Sequence, residues 1–371
     1  MIGKDDFMRD DYVIDGVRIP VDDIEISPAE GDITAALAAA IEGKNVGNIT
    51  INLTAGVTYT VSGSIVAPAG LTINGNGATI DASALEAALI TTPAGDLAEW
   101  ATAELAIKEV TLKGVKKGVY ASAGKNYLYK NFTVENSVIE IAAITGLEFD
   151  FRKGGVAENF NISNSTIYAP EATTNSLYTS QSGQKATEAG DIVQTFTISN
   201  STLYNLAKSK NFFTHRQSNQ TWLAYNIQNS LFLNVGKSGQ VVKGINQGQS
   251  GKNPLWNISG NAFNFEDADT SVAEDTGDAE EPVQNSVAGV VEFTNAAEGD
   301  FNGTFKLAEG ATAPETLGDP RWNITFDVYT GISNLVAPAQ NAAAIYDLQG
   351  RKVETLKKGQ VYIQSGKKFV K

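Results

Sequence analysis

One short phrase recurs through the middle of the chain, and it constrains the fold more than any other feature. It reads Phe132-Thr133-Val134-Glu135-Asn136-Ser137, then Phe160-Asn161-Ile162-Ser163-Asn164-Ser165, then Phe196-Thr197-Ile198-Ser199-Asn200-Ser201. It continues as Tyr225-Asn226-Ile227-Gln228-Asn229-Ser230 and, with one change, as Trp256-Asn257-Ile258-Ser259-Gly260-Asn261. The first four asparagines at the fifth position are spaced 28, 36 and 29 residues apart. Leu71-Thr72-Ile73-Asn74-Gly75-Asn76 is a weaker early copy. Aromatic, polar, aliphatic, polar has a period of two, the pattern of a strand buried on one side. Asparagine tolerates left-handed backbone, so the chain can bend there. Ser165-Thr166-Ile167-Tyr168 and Ser201-Thr202-Leu203-Tyr204 then restart the alternation.

Each unit is therefore strand, bend, strand. A single unit cannot bury its own apolar side, so the units must stack. Stacking predicts an internal column of Phe132, Phe160, Phe196, Tyr225 and Trp256, and a second of Val134, Ile162, Ile198, Ile227 and Ile258. It also predicts an amide ladder of Asn136, Asn164, Asn200 and Asn229 at the bend. The arrangement is a parallel β-helix. Helical repeats would need a 3.6-residue period, and propeller blades use antiparallel meanders.

The N-terminal part fits this reading. Ile33–Ile41 is the one strong helical segment, with Asp32 as N-cap and Gly43 near its end. A short amphipathic helix can cover the open end of a solenoid. Asn48-Ile49-Thr50-Ile51-Asn52-Leu53 follows as the expected first strand. With Gly56-Val57-Thr58-Tyr59 and the run Leu71 to Ile80, these elements resemble the right-handed parallel β-helix, pectate-lyase-like superfamily over roughly residues 30–265. That resemblance implies the fold, and much less about activity.

Residues 266–281 carry Glu266, Asp267, Asp269, Glu274, Asp275, Asp278, Glu280 and Glu281 without Lys or Arg. A solvated loop is the plain reading. A calcium loop is the alternative, although Val272 stands where an EF-hand needs glycine. Residues 290–330 read as further strands, with Leu317-Gly318-Asp319-Pro320-Arg321-Trp322 as a turn into one. A similar Gly-Asp-Pro-Arg-Trp turn occurs in β-helix surface proteins of polysaccharide-degrading Gram-negative bacteria. Residues 331–371, with Ile345-Tyr346-Asp347-Leu348-Gln349-Gly350 and Val361-Tyr362-Ile363, read as two hairpins with basic turns. They resemble the C-terminal sorting-type domain of the type IX secretion family, which implies export to the envelope or beyond.

Composition narrows the chemistry. The 28 Lys and Arg against 42 Asp and Glu give a net charge of −14, which disfavours nucleic acid as a partner. With no cysteine there is no disulfide, thiolate metal site or cysteine nucleophile. The single histidine, His215, excludes two-histidine metal sites and argues against a Ser-His-Asp triad. No P-loop is present. No apolar run is long enough for a membrane helix, and no signal peptide is visible at Met1. Two readings follow, a cytosolic protein or a mature or trimmed chain whose export signal is gone, and the rest of the sequence favours the second.

The strand before each phrase supplies candidate site residues. Aligning Val119, Phe149, Leu177, Phe213 and Val242 as first residues places Tyr120, Asp150, Tyr178, Thr214 and Lys243 in one outward column. Ser122, Arg152, Ser180, Arg216 and Ile245 form the next. Coils ~4.8 Å apart would put Arg152 and Arg216 ~10 Å apart. The substrate-binding candidates are therefore Tyr120, Asp150, Arg152, Tyr178, Arg216 and Lys243. Guanidinium groups grip carboxylate or sulfate, and tyrosines stack on sugar rings. The plain alternative is a surface ion pair of Arg152 with Asp150 and tyrosines that merely suit strands. His215 is expected to point inward as a core or edge histidine. The acidic clusters that calcium-dependent pectate lyases and polygalacturonases need are missing from the coils at 105–265.

The expected organisation is an all-β protein: an N-terminal extension over 1–31, a right-handed parallel β-helix with a capping helix over 32–330, and a small C-terminal β module over 331–371. The expected function is a secreted or outer-membrane-surface protein, a monomer, that interacts with a polysaccharide, acidic ones included, without catalysis. No cofactor is expected, calcium at 266–281 being the one alternative. The rival readings are a lyase or hydrolase acting on an acidic glycan, with Arg152 or Arg216 neutralising a uronate and Lys243, His215 or Tyr178 taking the proton, and an adhesin or passive spacer. A groove walled by the 181–191 and 246–254 turns would favour the enzyme.

Overall fold

The computed structural model describes residues 11–14, 17–95, 101–142, 148–180, 194–207, 212–215, 222–233, 235, 245–246, 255–263, 317–322, 345–346, 361–364 and 367–370. Two compact units divide the chain, Met1–Tyr329 and Thr330–Lys371.

The first unit is a parallel β-helix whose repeated phrase is its first face. Tyr127–Glu135, Gly155–Ser163, Gln194–Ser199, Trp222–Gln228 and Leu255–Ser259 pair parallel in that order. The register sets Phe132 beside Phe160, Phe196, Tyr225 and Trp256 in turn, as the period-two pattern requires. Val134, Ile162, Ile198, Ile227 and Ile258 form the adjoining column. Towards the N-terminus the same face continues through Ala101–Val115, Leu71–Asp81, Val46–Asn52 and Asp22–Ile26. The sheet therefore begins at Asp22–Ile26, ahead of the expected boundary at 32. Residues 11–20 form a separate antiparallel hairpin, Asp11–Ile14 with Val17–Pro20.

After the bend, the second face stacks Thr58–Thr60, Val138–Ile141, Thr166–Tyr168, Thr202–Tyr204, Leu231–Leu233 and Ala262–Phe263. Leu71–Asp81 and Ala101–Val115 run through the bend and pair on both faces. The third face stacks Ile65–Val66, Ile90–Thr91, Tyr120–Ala121, Phe149–Phe151, Tyr178–Ser180, Phe213–His215 and Ile245–Asn246.

The interior is filled by rings stacked along the coils. Phe132 lies 5.3 Å from Phe160, and Phe160 5.4 Å from Phe196, with rings near parallel. A second stack from the third face runs Phe151, Tyr178, Phe213 at 4.9 and 4.5 Å. Edge-to-face contacts such as Phe160 with Tyr178 at 5.0 Å join the two stacks.

Asn136, Asn164, Asn200 and Asn229 all adopt left-handed backbone at the bend, with φ of 48°, 47°, 46° and 50°. Gly260 takes that place in the last phrase with φ 68°, and a Cβ there would meet Asn229 Oδ1 at 2.5 Å. The ladder at the bend is built one residue later than the expected amide ladder. Ser137 N donates to Ser165 Oγ (3.1 Å), Ser165 N to Ser201 Oγ (3.2 Å), Ser201 N to Ser230 Oγ (3.1 Å) and Ser230 N to Asn261 Oδ1 (3.0 Å). Each of the four serine hydroxyls donates back to the carbonyl two residues before it, as Ser201 Oγ does to Ser199 O at 2.7 Å. All five side chains are fully buried, so backbone groups at an interior corner are satisfied without water. Asparagine supplies the conformation and serine supplies the ladder.

The helix Ile33–Ile41 forms where expected. Asp32 caps it by accepting from Ala35 N at 2.9 Å, and Ile33 and Leu37 are buried. It packs against Asp22–Ile26, the terminal strand of the stack.

Gly318–Trp322 does not run into a strand within the described residues; Pro320–Trp322 is one 3-10 turn, and it lies on the bend between the first and second faces. The other expected strands of 290–330, and the acidic loop at 266–281, lie outside the described residues. In the second unit Val361–Gln364 is the central strand, antiparallel to Ile345–Tyr346 and to Lys367–Val370. That pattern matches the two hairpins read from the sequence.

Candidate functional site

The third face corrects the register assumed for the candidate residues. Tyr120 pairs with Phe149, Phe149 with Tyr178, Tyr178 with Phe213 and Phe213 with Ile245. The expected alignment was displaced by one residue at Tyr120 and Tyr178 and by three at Ile245. Tyr120 and Tyr178 therefore point inward and are fully buried. Burial drives both phenols well above their ordinary pKa, and Tyr120 Oη donates to Tyr129 Oη at 3.3 Å. Neither ring can stack on an external sugar. The column beside them, one residue on, is Ala121, Asp150, Thr179 and Thr214, of which Thr179 and Thr214 are themselves buried.

Asp150 and Arg152 do meet at the surface. Arg152 Nε donates to Asp150 Oδ1 at 2.8 Å and Nη2 to Oδ2 at 2.7 Å, a bidentate fork. The Asp150 carboxylate is the main cause that raises the guanidinium pKa. The pair binds itself, as the plain reading anticipated. Arg216 and Lys243, and the 181–191 and 246–254 segments expected to wall a groove, lie outside the described residues apart from Asn246. The register sets the backbone of His215 beside Ser180, in the inward column; its side chain is outside the described residues.

A different surface stands out on the first face. Over its last four phrase strands, the register places Ala224, which is buried, and Leu255 in the row of Thr195, and the polar outward positions are Asn159, Asn161 and Ser163; Thr195, Thr197 and Ser199; Asn226 and Gln228; Asn257 and Ser259. None of these ten is ionisable and none is buried, in a chain with 19% charged residues. Glu135, one coil earlier, and Glu158, one residue ahead of Asn159, bound the block. Strand geometry spaces the side chains ~4.8 Å from coil to coil and about 6.6 Å along each strand.

Side-chain hydrogen bonds order this lattice. Asn159 Nδ2 donates to Asn131 Oδ1 (3.3 Å), Thr195 Oγ1 to Asn159 Oδ1 (2.6 Å), Asn226 Nδ2 to Thr197 Oγ1 (3.5 Å) and Asn257 Nδ2 to Asn226 Oδ1 (2.7 Å). The N-terminal coils repeat the pattern, with Asn74 Nδ2 donating to Asn52 Oδ1 at 2.8 Å and Asn52 Nδ2 to Glu25 Oε1 at 2.7 Å. Every one of these bonds runs from a later coil to an earlier one. An amide carries two donors and two acceptor lone pairs, so one bond up and one bond down leave Asn226 with capacity to spare, whereas Asn159 gives its second amide hydrogen to Lys130 O at 2.9 Å. The period-two reading made these positions outward. What it did not weigh was their shared lack of charge.

Glu148 was also missed. It stands in the column of Val119, Leu177 and Phe212, the one acid in an apolar row, and that alignment is the signal that exposes it. It is fully buried, and neither carboxyl oxygen reaches hydrogen-bonding geometry with a partner among the described residues. Burial pushes its carboxyl up to about 8, against smaller opposing pulls from its own backbone N–H and the Thr173 hydroxyl.

Among the described residues, no three or more His, Asp or Glu side chains gather as a metal site, and no helix is long and apolar enough to cross a membrane. A family model described as a domain of unknown function (DUF4957) matches residues 25–170. No curated protein and no solved structure matches the chain.

Proposed function

We propose that this protein is a non-catalytic polysaccharide-binding β-helix, secreted or held at the cell surface, and that its ligand lies on the uncharged outward lattice of the first face. The observation that carries the reading is the block of ten hydroxyl and amide positions without one ionisable side chain. Sugar hydroxyls are both donors and acceptors, and so is every residue of this block. The coil-to-coil spacing of ~4.8 Å is comparable to one sugar ring, so an extended chain along the stack would meet the same groups at each step. The lack of charge favours a neutral polysaccharide over an acidic one. The Asp150–Arg152 fork supports an acidic ligand less well, because the carboxylate already occupies the guanidinium edge. Export is supported by the C-terminal unit, whose resemblance to sorting-type domains stands beside its separation as a compact unit at Thr330–Lys371.

Affinity electrophoresis through gels containing neutral or acidic polysaccharides tests the reading. The expected result is retardation by a neutral polysaccharide, lost when Asn161, Thr197 and Asn226 are all changed to Ala. Absorbance of unsaturated product in the same samples is expected to stay flat. Its rise would replace the binding reading with a lyase.

A further inference from the structure

The segment Gly318–Trp322 is held by side-chain and backbone bonds that span successive coils of the solenoid. Arg321 Nη2 donates to Ser137 O at 2.8 Å and to Asn164 O at 3.0 Å. Trp322 Nε1 donates to Thr166 Oγ1 at 2.6 Å, and Thr166 Oγ1 donates to Asp319 Oδ2 at 2.7 Å. Asp319 N donates to Thr202 Oγ1 at 3.0 Å, and Gly318 N to Asn229 O at 3.0 Å. Those partners sit on the bends of four consecutive coils. Arg321 is fixed in turn by Asp319, whose side chain is fully buried, through Nε at 3.1 Å and Nη2 at 2.7 Å. Gly318 has φ 85°, and a Cβ there would meet Thr202 Oγ1 at 2.6 Å, so only glycine lets the segment lie this close.

In a solenoid each repeat touches only its neighbours, so coils can fray one by one. A contact made across four coils, by residues up to 184 positions away in sequence, breaks that rule. We infer that Gly318–Trp322 is a clasp that couples these four coils into one cooperative block, with Asp319, Arg321 and Trp322 as positioning residues for the part of the lattice that three of these coils carry. The coils it grips are those whose first-face strands carry Thr133 and Glu135, Asn161 and Ser163, Thr197 and Ser199, and Asn226 and Gln228. A ligand that reads several coils at once needs their spacing fixed beforehand, since mobile rungs must be ordered on binding. This last step rests on the binding reading above; the coupling does not.

Hydrogen exchange on the full chain, read by mass spectrometry, tests the coupling without any ligand. In the unaltered protein, Tyr127–Glu135, Gly155–Ser163, Gln194–Ser199 and Trp222–Gln228 should open with one common protection. In Arg321→Ala that common value should split, with Tyr127–Glu135 and Gly155–Ser163, whose bends lose the guanidinium's bonds, exchanging roughly tenfold faster or more, as expected from losing charge-assisted bonds. Leu71–Asp81, outside the clasp, should stay unchanged. If Arg321→Ala does not fold, Trp322→Phe decides, because it keeps the ring and removes the donor to Thr166; it should give a smaller split in the same strands. Arg321→Lys, which keeps the charge but not the fork, should restore part of the coupling. Uniform protection of the four strands in the variant that folds, or an equal rise in Leu71–Asp81, would overturn the clasp. In the binding arm, the variant that splits should also bind the retarding polysaccharide more weakly while its lattice residues are intact. A unaltered protein that ignores every polysaccharide would sink the binding reading and leave the exchange result to decide the coupling.

Discussion

At the scale of single residues, the bend divides its work between neighbours. The left-handed conformation costs a side chain with a Cβ about 1–2 kcal/mol, and asparagine reduces that cost by local hydrogen bonding. Asn164→Ala should therefore destabilise by about 1 kcal/mol, and Asn164→Gly should be close to neutral, as read by chemical denaturation. Ser201→Ala removes the hydroxyl that accepts from Ser165 N at 3.2 Å and leaves that buried amide unsatisfied, so a loss of about 1–3 kcal/mol is expected. Glu148 makes the opposite demand. Its carboxyl ionises at about 8 in the folded chain and near the ordinary 4.5 when unfolded. Between those values the unfolded chain has released a proton that the folded chain still holds. Stability therefore falls as pH rises from 4.5 through 8, and the contribution is unchanged below 4.5. Glu148→Gln should flatten that decline and gain stability at alkaline pH on the order of a few kcal/mol, measured as denaturation midpoints across the range.

At the scale of elements, the strands were legible wherever two adjacent signals agreed. The first-face phrase has a strict alternation and a bend residue at a fixed place, so its register could be read from sequence and matches the pairing of Phe132, Phe160, Phe196 and Tyr225. The third face has strands of only two or three residues, too short for alternation to fix a register. Tyr120 and Tyr178 were misplaced for that reason. A slip of one residue in a strand exchanges inside for outside, which converted two core tyrosines into supposed sugar platforms. The clasp was hidden by distance. Its turn residues were visible, but nothing local says that Arg321 reaches carbonyls at Ser137 and Asn164. Removing one partner of a buried ion pair strands the other, so Arg321→Ala should cost roughly 2–4 kcal/mol, less than a wholly buried pair because the guanidinium is partly open. Arg321→Ala together with Asp319→Ala should cost less than the two single changes added, as a thermal or denaturant double-mutant cycle would show.

At the scale of the whole molecule, an acidic chain of net charge −14 presents an uncharged strip across several coils of one face. Charges elsewhere keep the protein apart from its copies, and the strip offers a place where hydrogen bonding, with no net charge to oppose it, decides the contact. Binding to a neutral polysaccharide should then change little between low and high salt, whereas a contact made through Arg152 would weaken steeply. The measurement that tests this most directly compares Thr197→Glu with Arg152→Glu for retardation by neutral and acidic polysaccharides. Thr197→Glu sets a charge in the middle of the lattice and should abolish retardation by a neutral polysaccharide, while Arg152→Glu should leave it intact. Retardation by an acidic polysaccharide that survives Thr197→Glu and is lost in Arg152→Glu would contradict the assignment and return the site to the third face.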